Sequence, residues 1–90
     1  MNIEKLYEVI ETRVSKKTKN SYTNKLLKHG PKKIAQKFGE EAVELIVDYL
    51  NGSKKRTIEE AADLIYHLLV LLKSKNIDLK DINKELAKRK

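Results

Sequence analysis

Two pairs of carboxylates share one spacing in this chain: Glu41 with Glu44, and Glu60 with Asp63. Residues three apart lie on one side of a helix, so each pair predicts an acidic edge on its own helix. Packed side by side, two such helices would bring the pairs together as an all-oxygen cage of the kind magnesium takes. That chemistry points to a phosphate-bearing substrate. Phosphoryl transfer depends on charge neutralisation and positioning more than on a protein nucleophile, and the chain has no cysteine and no compelling Ser/His/Asp set.

The elements that must position these groups can be read from periodicity and punctuation. A long helix is expected from Pro31, well placed as a first helical residue, to about Asn51, with Gly52 as its cap. On a helical wheel Ile34, Phe38, Ala42, Leu45, Ile46 and Tyr49 form its apolar stripe. Lys37, Glu41, Glu44 and Asp48 run along one edge of that stripe. The couples Glu40 with Glu44 and Glu44 with Asp48 repel by about 0.2–0.5 kcal/mol each, a cost that a nearby cation would turn into binding.

A second long helix is expected from the capping-box pattern of Thr57 and Glu60 to about Lys75. Apolar residues cover more than half of its circumference, so it should be buried, and Glu60, Asp63 and His67 interrupt it on one narrow stripe. An ionised carboxylate buried without a partner costs several kcal/mol, so these acids either face a cleft or hold a metal. Glu60 is claimed by the helix cap as well as by the cage. His67 is either hydrogen-bonded in the core or in contact with a base or phosphate.

Shorter helices are expected over Asn2 to Val14, over Tyr22 to Lys28 ending at Gly30, and after Asp78 with Leu79, Ile82 and Leu86 on one face. The fold class is therefore all-α: a helical bundle of four to five helices in one domain over 1–90. The two long helices should pack antiparallel across the Gly52 to Arg56 connection. Their apolar circumference exceeds what 90 residues can cover, so the core is expected to be completed by homodimerisation.

Hydrophobic residues at 40% and charged residues at 37% describe a globular protein with a charged surface. There is no signal-peptide core, and the Leu64 to Leu72 run is too short to span a bilayer, so no membrane association and a cytoplasmic location are expected. Abundant lysine and glutamate also fit a heat-adapted source. The net charge of +7 invites a nucleic-acid reading, but its distribution argues otherwise. No acid lies between Glu11 and Glu40, an interval holding Arg13, Lys16, Lys17, Lys19, Lys25, Lys28, Lys32, Lys33 and Lys37. Aromatics suited to base stacking are sparse there. Lys33 and Lys37 precede Glu41 on or near the same edge, where substrate phosphates want positive charge.

Read whole, the strings SYTNKLLKHG, KKIAQKFGEEAVEL and IEEAADLIYHLLVLL resemble the phosphoribosyl-ATP pyrophosphohydrolase family of histidine biosynthesis, over about Ser21 to Leu72. Glu40, Glu41 and Glu44, then Glu60 and Asp63, are also similar to the EExxE and ExxD pattern of the wider all-α nucleotide pyrophosphohydrolase superfamily. The resemblance implies Mg2+-dependent hydrolysis of phosphoribosyl-ATP to phosphoribosyl-AMP and pyrophosphate by a homodimer. It implies Glu41, Glu44, Glu60 and Asp63 as metal ligands. Glu40 matches the remaining acid of the motif, and Glu40 and Glu44 are the catalytic candidates, Glu40 by supporting a metal ligand or orienting the water. Lys25, Lys33 and Lys37 would pair with the polyphosphate, and Ser21, Tyr22 and His67 would contact the ribosyl-nucleotide part. Some relatives are fused to a cyclohydrolase domain whose zinc site uses cysteines, which this chain does not have. A related pyrophosphohydrolase acting on ordinary or damaged nucleoside triphosphates, and a basic module binding nucleic acid or a protein partner, are the alternatives.

Overall fold

A computed structural model describes residues 1–17 and 21–89. Lys19 and Lys90 of the basic stretches lie outside the described residues. Five helices follow in order: α1 (Ile3–Ser15), α2 (Tyr22–His29), α3 (Pro31–Asn51), α4 (Lys54–Ser74) and α5 (Leu79–Lys88), with no strand among the described residues. The all-α expectation therefore holds.

Local chemistry sets most of the boundaries. Asn2 caps α1 by accepting from the Lys5 N–H at 2.9 Å, and Ser21 caps α2. Gly30 joins α2 to α3 at φ +93°, a conformation open to glycine and strained for other residues. Asp81 turns back to accept from the Asp78 N–H at 3.0 Å, fixing the start of α5.

The start of α4 differs from the sequence expectation. Ser53 is its cap, accepting from the Arg56 N–H at 3.1 Å, so the helix begins at Lys54 and Thr57 lies inside it. The Thr57 hydroxyl instead donates to the Ser53 carbonyl at 2.9 Å and lies 3.2 Å from the Asp48 carbonyl. A serine followed by three good helix-compatible residues outcompetes the threonine because it starts the hydrogen-bond ladder a turn earlier. Glu60 is thereby released from any capping duty.

Only Gly52 and Ser53 separate α3 from α4, so the two helices form a tight antiparallel hairpin. The Gly52 N–H closes α3 by donating to the Asp48 carbonyl at 2.8 Å, and an added Cβ there would meet that same oxygen at 2.9 Å. Glycine is required by this close approach rather than by its torsion angles.

The core lies at one end of the hairpin. Tyr7 and Ile10 of α1 and Leu26 of α2 pack with Ile34 near the start of α3 and with Leu69, Val70 and Leu72 near the end of α4. The Tyr7 hydroxyl donates to the Ile77 carbonyl at 2.8 Å and ties α1 to the chain beyond α4.

Towards the Gly52 turn the packing is different. Of the expected stripe on α3, Ile34 is buried and Phe38, Ala42 and Leu45 are half-buried, but Ile46 and Tyr49 are exposed. Val43, Ile46, Val47 and Leu50, spaced i, i+3, i+4, i+7, make a second apolar edge with each residue more than half exposed. On α4, Ile58 and Leu68 are exposed too. The Cα radius of gyration of 14.0 Å exceeds the about 12 Å expected for a chain of this length. The hairpin extends beyond the helices that cover it.

Because Ser53 carries the cap, Ser53→Ala should lower the stability of the fold by about 1 kcal/mol, within a range of roughly 0.5–2. Urea denaturation followed by circular dichroism measures this; an unchanged midpoint would return the helix start to Thr57.

Candidate active site

Where α3 and α4 lie against one another, the acids on their facing edges meet. Ligand oxygens of Glu41, Glu60 and Asp63 all lie within 4.8 Å of one another. Glu41 and Glu60 are buried, at 7% and 5% exposure, whereas Asp63 is exposed and opens the cluster to solvent. Glu44, on the same edge of α3, is exposed and outside this trio, though its charge acts on Glu60.

Each buried glutamate has two unlike oxygens. Oε1 of Glu41 is 3.8 Å from the Lys37 ammonium, and Oε1 of Glu60 is 2.8 Å from the Arg56 guanidinium. Oε2 of each is buried with no hydrogen-bond partner. Buried polar atoms are nearly always satisfied, and an unpartnered carboxylate oxygen carries a large desolvation cost. Two such atoms beside a third, open carboxylate suit a hard cation that takes oxygen ligands and keeps free positions for water and phosphate.

The electrostatics agree with this geometry. Burial, then the charge of Glu44, then the adjacent Glu41 carboxyl push the Glu60 pKa up, against the lowering effect of Arg56. Glu40 behaves in the opposite way: a 2.9 Å hydrogen bond from Gln36, helped by Lys37 and Lys33, holds it below the usual carboxylate range. The two acids are thus perturbed in opposite senses, Glu60 upward by burial and like charge and Glu40 downward by its hydrogen bond and lysines.

The remaining sequence candidates divide into two groups. Tyr22 and His67 are brought together beside Asp63. Nδ1 of His67 is 2.7 Å from the Asp63 carbonyl, which can only accept, so Nδ1 carries a proton. In the neutral ring Nε2 then accepts from the Tyr22 hydroxyl at 3.0 Å. Burial raises the Tyr22 pKa, keeping it a donor. The Tyr66 ring stacks on Tyr22 at 6.1 Å between centroids, and its hydroxyl bonds that of Thr23.

Ser21 is spent as the α2 cap, its Oγ 3.4 Å from the Asn24 N–H, which makes its role local. Lys25, Lys33 and Lys37 line a neighbouring cavity between α2 and α3, and of the three only Lys37 also pairs with a member of the carboxylate trio, Glu41. Arg56, absent from the sequence candidates, bridges Glu59, Glu60 and Asp48 across the hairpin turn. Its i, i+4 spacing to Glu60 was the available signal.

Fold and site together define an all-α protein with an oxygen-only acidic centre, built across a helical hairpin and bordered by lysines. Residues 3–90 match the phosphoribosyl-ATP pyrophosphohydrolase family. The phosphoribosyl-ATP pyrophosphatase of Pyrobaculum neutrophilum is 51% identical over 97% of this chain and 93% of its own length. That of Clostridium acetobutylicum is 49% identical over 97% and 79% respectively. The histidine biosynthesis bifunctional protein HisIE of Bacteroides thetaiotaomicron is 45% identical over 99% of this chain and 44% of its own. The chain belongs to the phosphoribosyl-ATP pyrophosphohydrolase family.

A raised Glu60 pKa means that the folded state holds this proton more tightly than the unfolded chain does. Stability of the metal-free protein should therefore fall as pH rises above the ordinary glutamate value of about 4.3. Glu60→Gln should flatten that fall and raise Tm at pH 7 in EDTA, read by thermal melts across pH; a lower Tm would mean that the Arg56 pair dominates.

Proposed function

We propose that this chain is a single-domain phosphoribosyl-ATP pyrophosphohydrolase, hydrolysing phosphoribosyl-ATP to phosphoribosyl-AMP and pyrophosphate in histidine biosynthesis. The observation that carries the reading is the pair of buried, unpartnered glutamate oxygens beside Asp63, in a chain that matches this family from end to end. Glu41, Glu60 and Asp63, joined by Glu44, would hold Mg2+. When bound, that ion neutralises phosphate charge and lowers the pKa of a water molecule in its coordination sphere.

The chain's own groups do the rest. Glu40 and Glu44, both exposed beside the cluster, orient the attacking water, and its proton passes to Glu44. The water oxygen bonds to phosphorus as the bridging bond of the α–β anhydride breaks, and pyrophosphate leaves. Lys37, held between Glu40 and Glu41 at 3.8 Å from each, supplies positive charge where the polyphosphate meets the carboxylates. Tyr22 and His67, locked by their mutual hydrogen bond and by the Asp63 carbonyl, form a rigid wall for the nucleotide.

The active form is a homodimer in this reading. The Val43, Ile46, Val47 and Leu50 edge, together with Ile58, is the kind of contiguous apolar surface that folded monomers rarely leave in water. Among the described residues no helix is long and apolar enough to cross a membrane, and such an enzyme belongs with the cytoplasmic biosynthetic machinery.

Purified protein with Mg2+ and phosphoribosyl-ATP should release pyrophosphate and no orthophosphate; absence of pyrophosphate would sink the assignment. Asp63→Asn or Glu41→Gln should lower kcat by about 100-fold or more while the helical signal persists. Light scattering at micromolar concentration should give a dimer, and Val47→Asp should shift it to monomer.

A further inference from the structure

Next to the carboxylate cluster is a cavity of about 310 Å3 between α2 and α3, lined by Tyr22, Lys25, His29, Lys33, Lys37 and Glu40. Its size falls at the small end of ligand pockets, roughly 300–1,000 Å3. Two basic rows face each other across it, each at helical i, i+4 spacing: Lys25 with His29 on α2, and Lys33 with Lys37 on α3. Lys37 leans towards Glu40 and Glu41. Among the described residues Lys25, His29 and Lys33 have no ion pair. Glu40, the one acid in the lining, is already engaged by Gln36 and Lys37. The lysines of the lining outnumber its one acid, so the pocket has net positive charge.

The substrate named above, on which this inference rests, has two anionic ends of different character. One is the polyphosphate, which can share a cation with the carboxylates. The other is the phosphomonoester of the added ribose, which carries about −1.5 to −2 charge at pH 7 and is repelled by carboxylates. Ordinary nucleoside triphosphates have only the first. A site that prefers phosphoribosyl-nucleotides needs a cationic pocket set apart from the acids yet joined to them.

The α2–α3 cavity meets that requirement. It is linked to the cluster on one side by Lys37 and on the other by Tyr22, whose hydroxyl reaches His67 and through it the Asp63 carbonyl. We propose that Lys25, His29 and Lys33 bind the phosphomonoester of the phosphoribosyl group, and that this pocket sets the preference for phosphoribosyl-nucleotides over plain nucleotides. Lys25 and Lys33 thereby serve the end of the substrate opposite to the polyphosphate. His29 becomes a specificity residue.

The test compares phosphoribosyl-AMP with AMP as inhibitors of pyrophosphate release from phosphoribosyl-ATP by the intact protein. The double variant Lys25→Ala with His29→Ala should raise KM for phosphoribosyl-ATP and Ki for phosphoribosyl-AMP by about 10- to 100-fold, the scale of lost charge-assisted hydrogen bonds. Its Ki for AMP should stay within about twofold, and Lys33→Ala should behave in the same sense. His29→Lys, which places a fixed positive charge at this position, should retain the gap between the two inhibitors. Both α2 positions are exposed, so the helical circular dichroism should not change. Equal loss of AMP and phosphoribosyl-AMP affinity would overturn the proposal in favour of a polyphosphate site, and no loss of either would reduce the lysines to a solvated face. Wild-type protein that releases no pyrophosphate from phosphoribosyl-ATP would remove the substrate reading itself, and the inference with it.

Discussion

Two glutamates buried against each other, each with one oxygen left without a partner, are the constraint around which the molecule is built. Like charges forced together out of water are costly, and a helical hairpin would ordinarily place leucines there. Here the cost is contained by cations on the outer oxygens, Lys37 on Glu41 and Arg56 on Glu60. Both cations come from one turn earlier in the same helix as their partner. Each helix thus brings its own acid already half neutralised, and only the inner oxygens meet.

That arrangement accounts for the uneven packing. The apolar core gathers at the end where α1 and α2 cover the hairpin, whereas the acidic seam takes up space between α3 and α4 nearer the Gly52 turn. With charge inside, apolar residues at this end point outward, on the Val43 to Leu50 edge. The inversion also makes the turn geometry matter: a two-residue connection, closed by the Gly52 contact with Asp48, fixes how far α4 can slide along α3. A slip of one helical residue, about 1.5 Å of rise and 100° of rotation, would separate the inner oxygens.

Much of this could be read from the chain before any coordinates. Spacing alone put Glu41 and Glu44 on one edge of a helix and Glu60 and Asp63 on another, and Pro31, Gly30 and Gly52 bounded the long helix correctly because each has a backbone reason to be where it is. Two things could not be read. Thr57 and Glu60 form a capping-box pattern that Ser53 pre-empts by starting the hydrogen-bond ladder a turn earlier. The second apolar edge on α3 also went unseen. A helix wheel gives the width of an apolar face but not which part of it neighbouring helices cover, and beyond Leu45 the apolar residues of α3 are exposed. Arg56, by contrast, had a readable signal in its i, i+4 spacing to Glu60, and was passed over because the expected helix began only at Thr57.

The excess of positive charge finds its explanation in the same geometry. A net +7 spread evenly over the surface would attract any polyanion, nucleic acid included. In this fold, lysines on the α2 and α3 rows stand next to an acidic seam, so an approaching polyanion meets attraction and repulsion within a few residues of each other. A uniform backbone of phosphates cannot satisfy both fields at once. A compact ligand with one phosphate group bridged by a cation and another left bare can. On the proposed reading, the opposition between Lys25, His29 and Lys33 on one side and Glu41, Glu60 and Asp63 on the other would itself act as a selectivity device, disfavouring ligands whose negative charge is all of one kind.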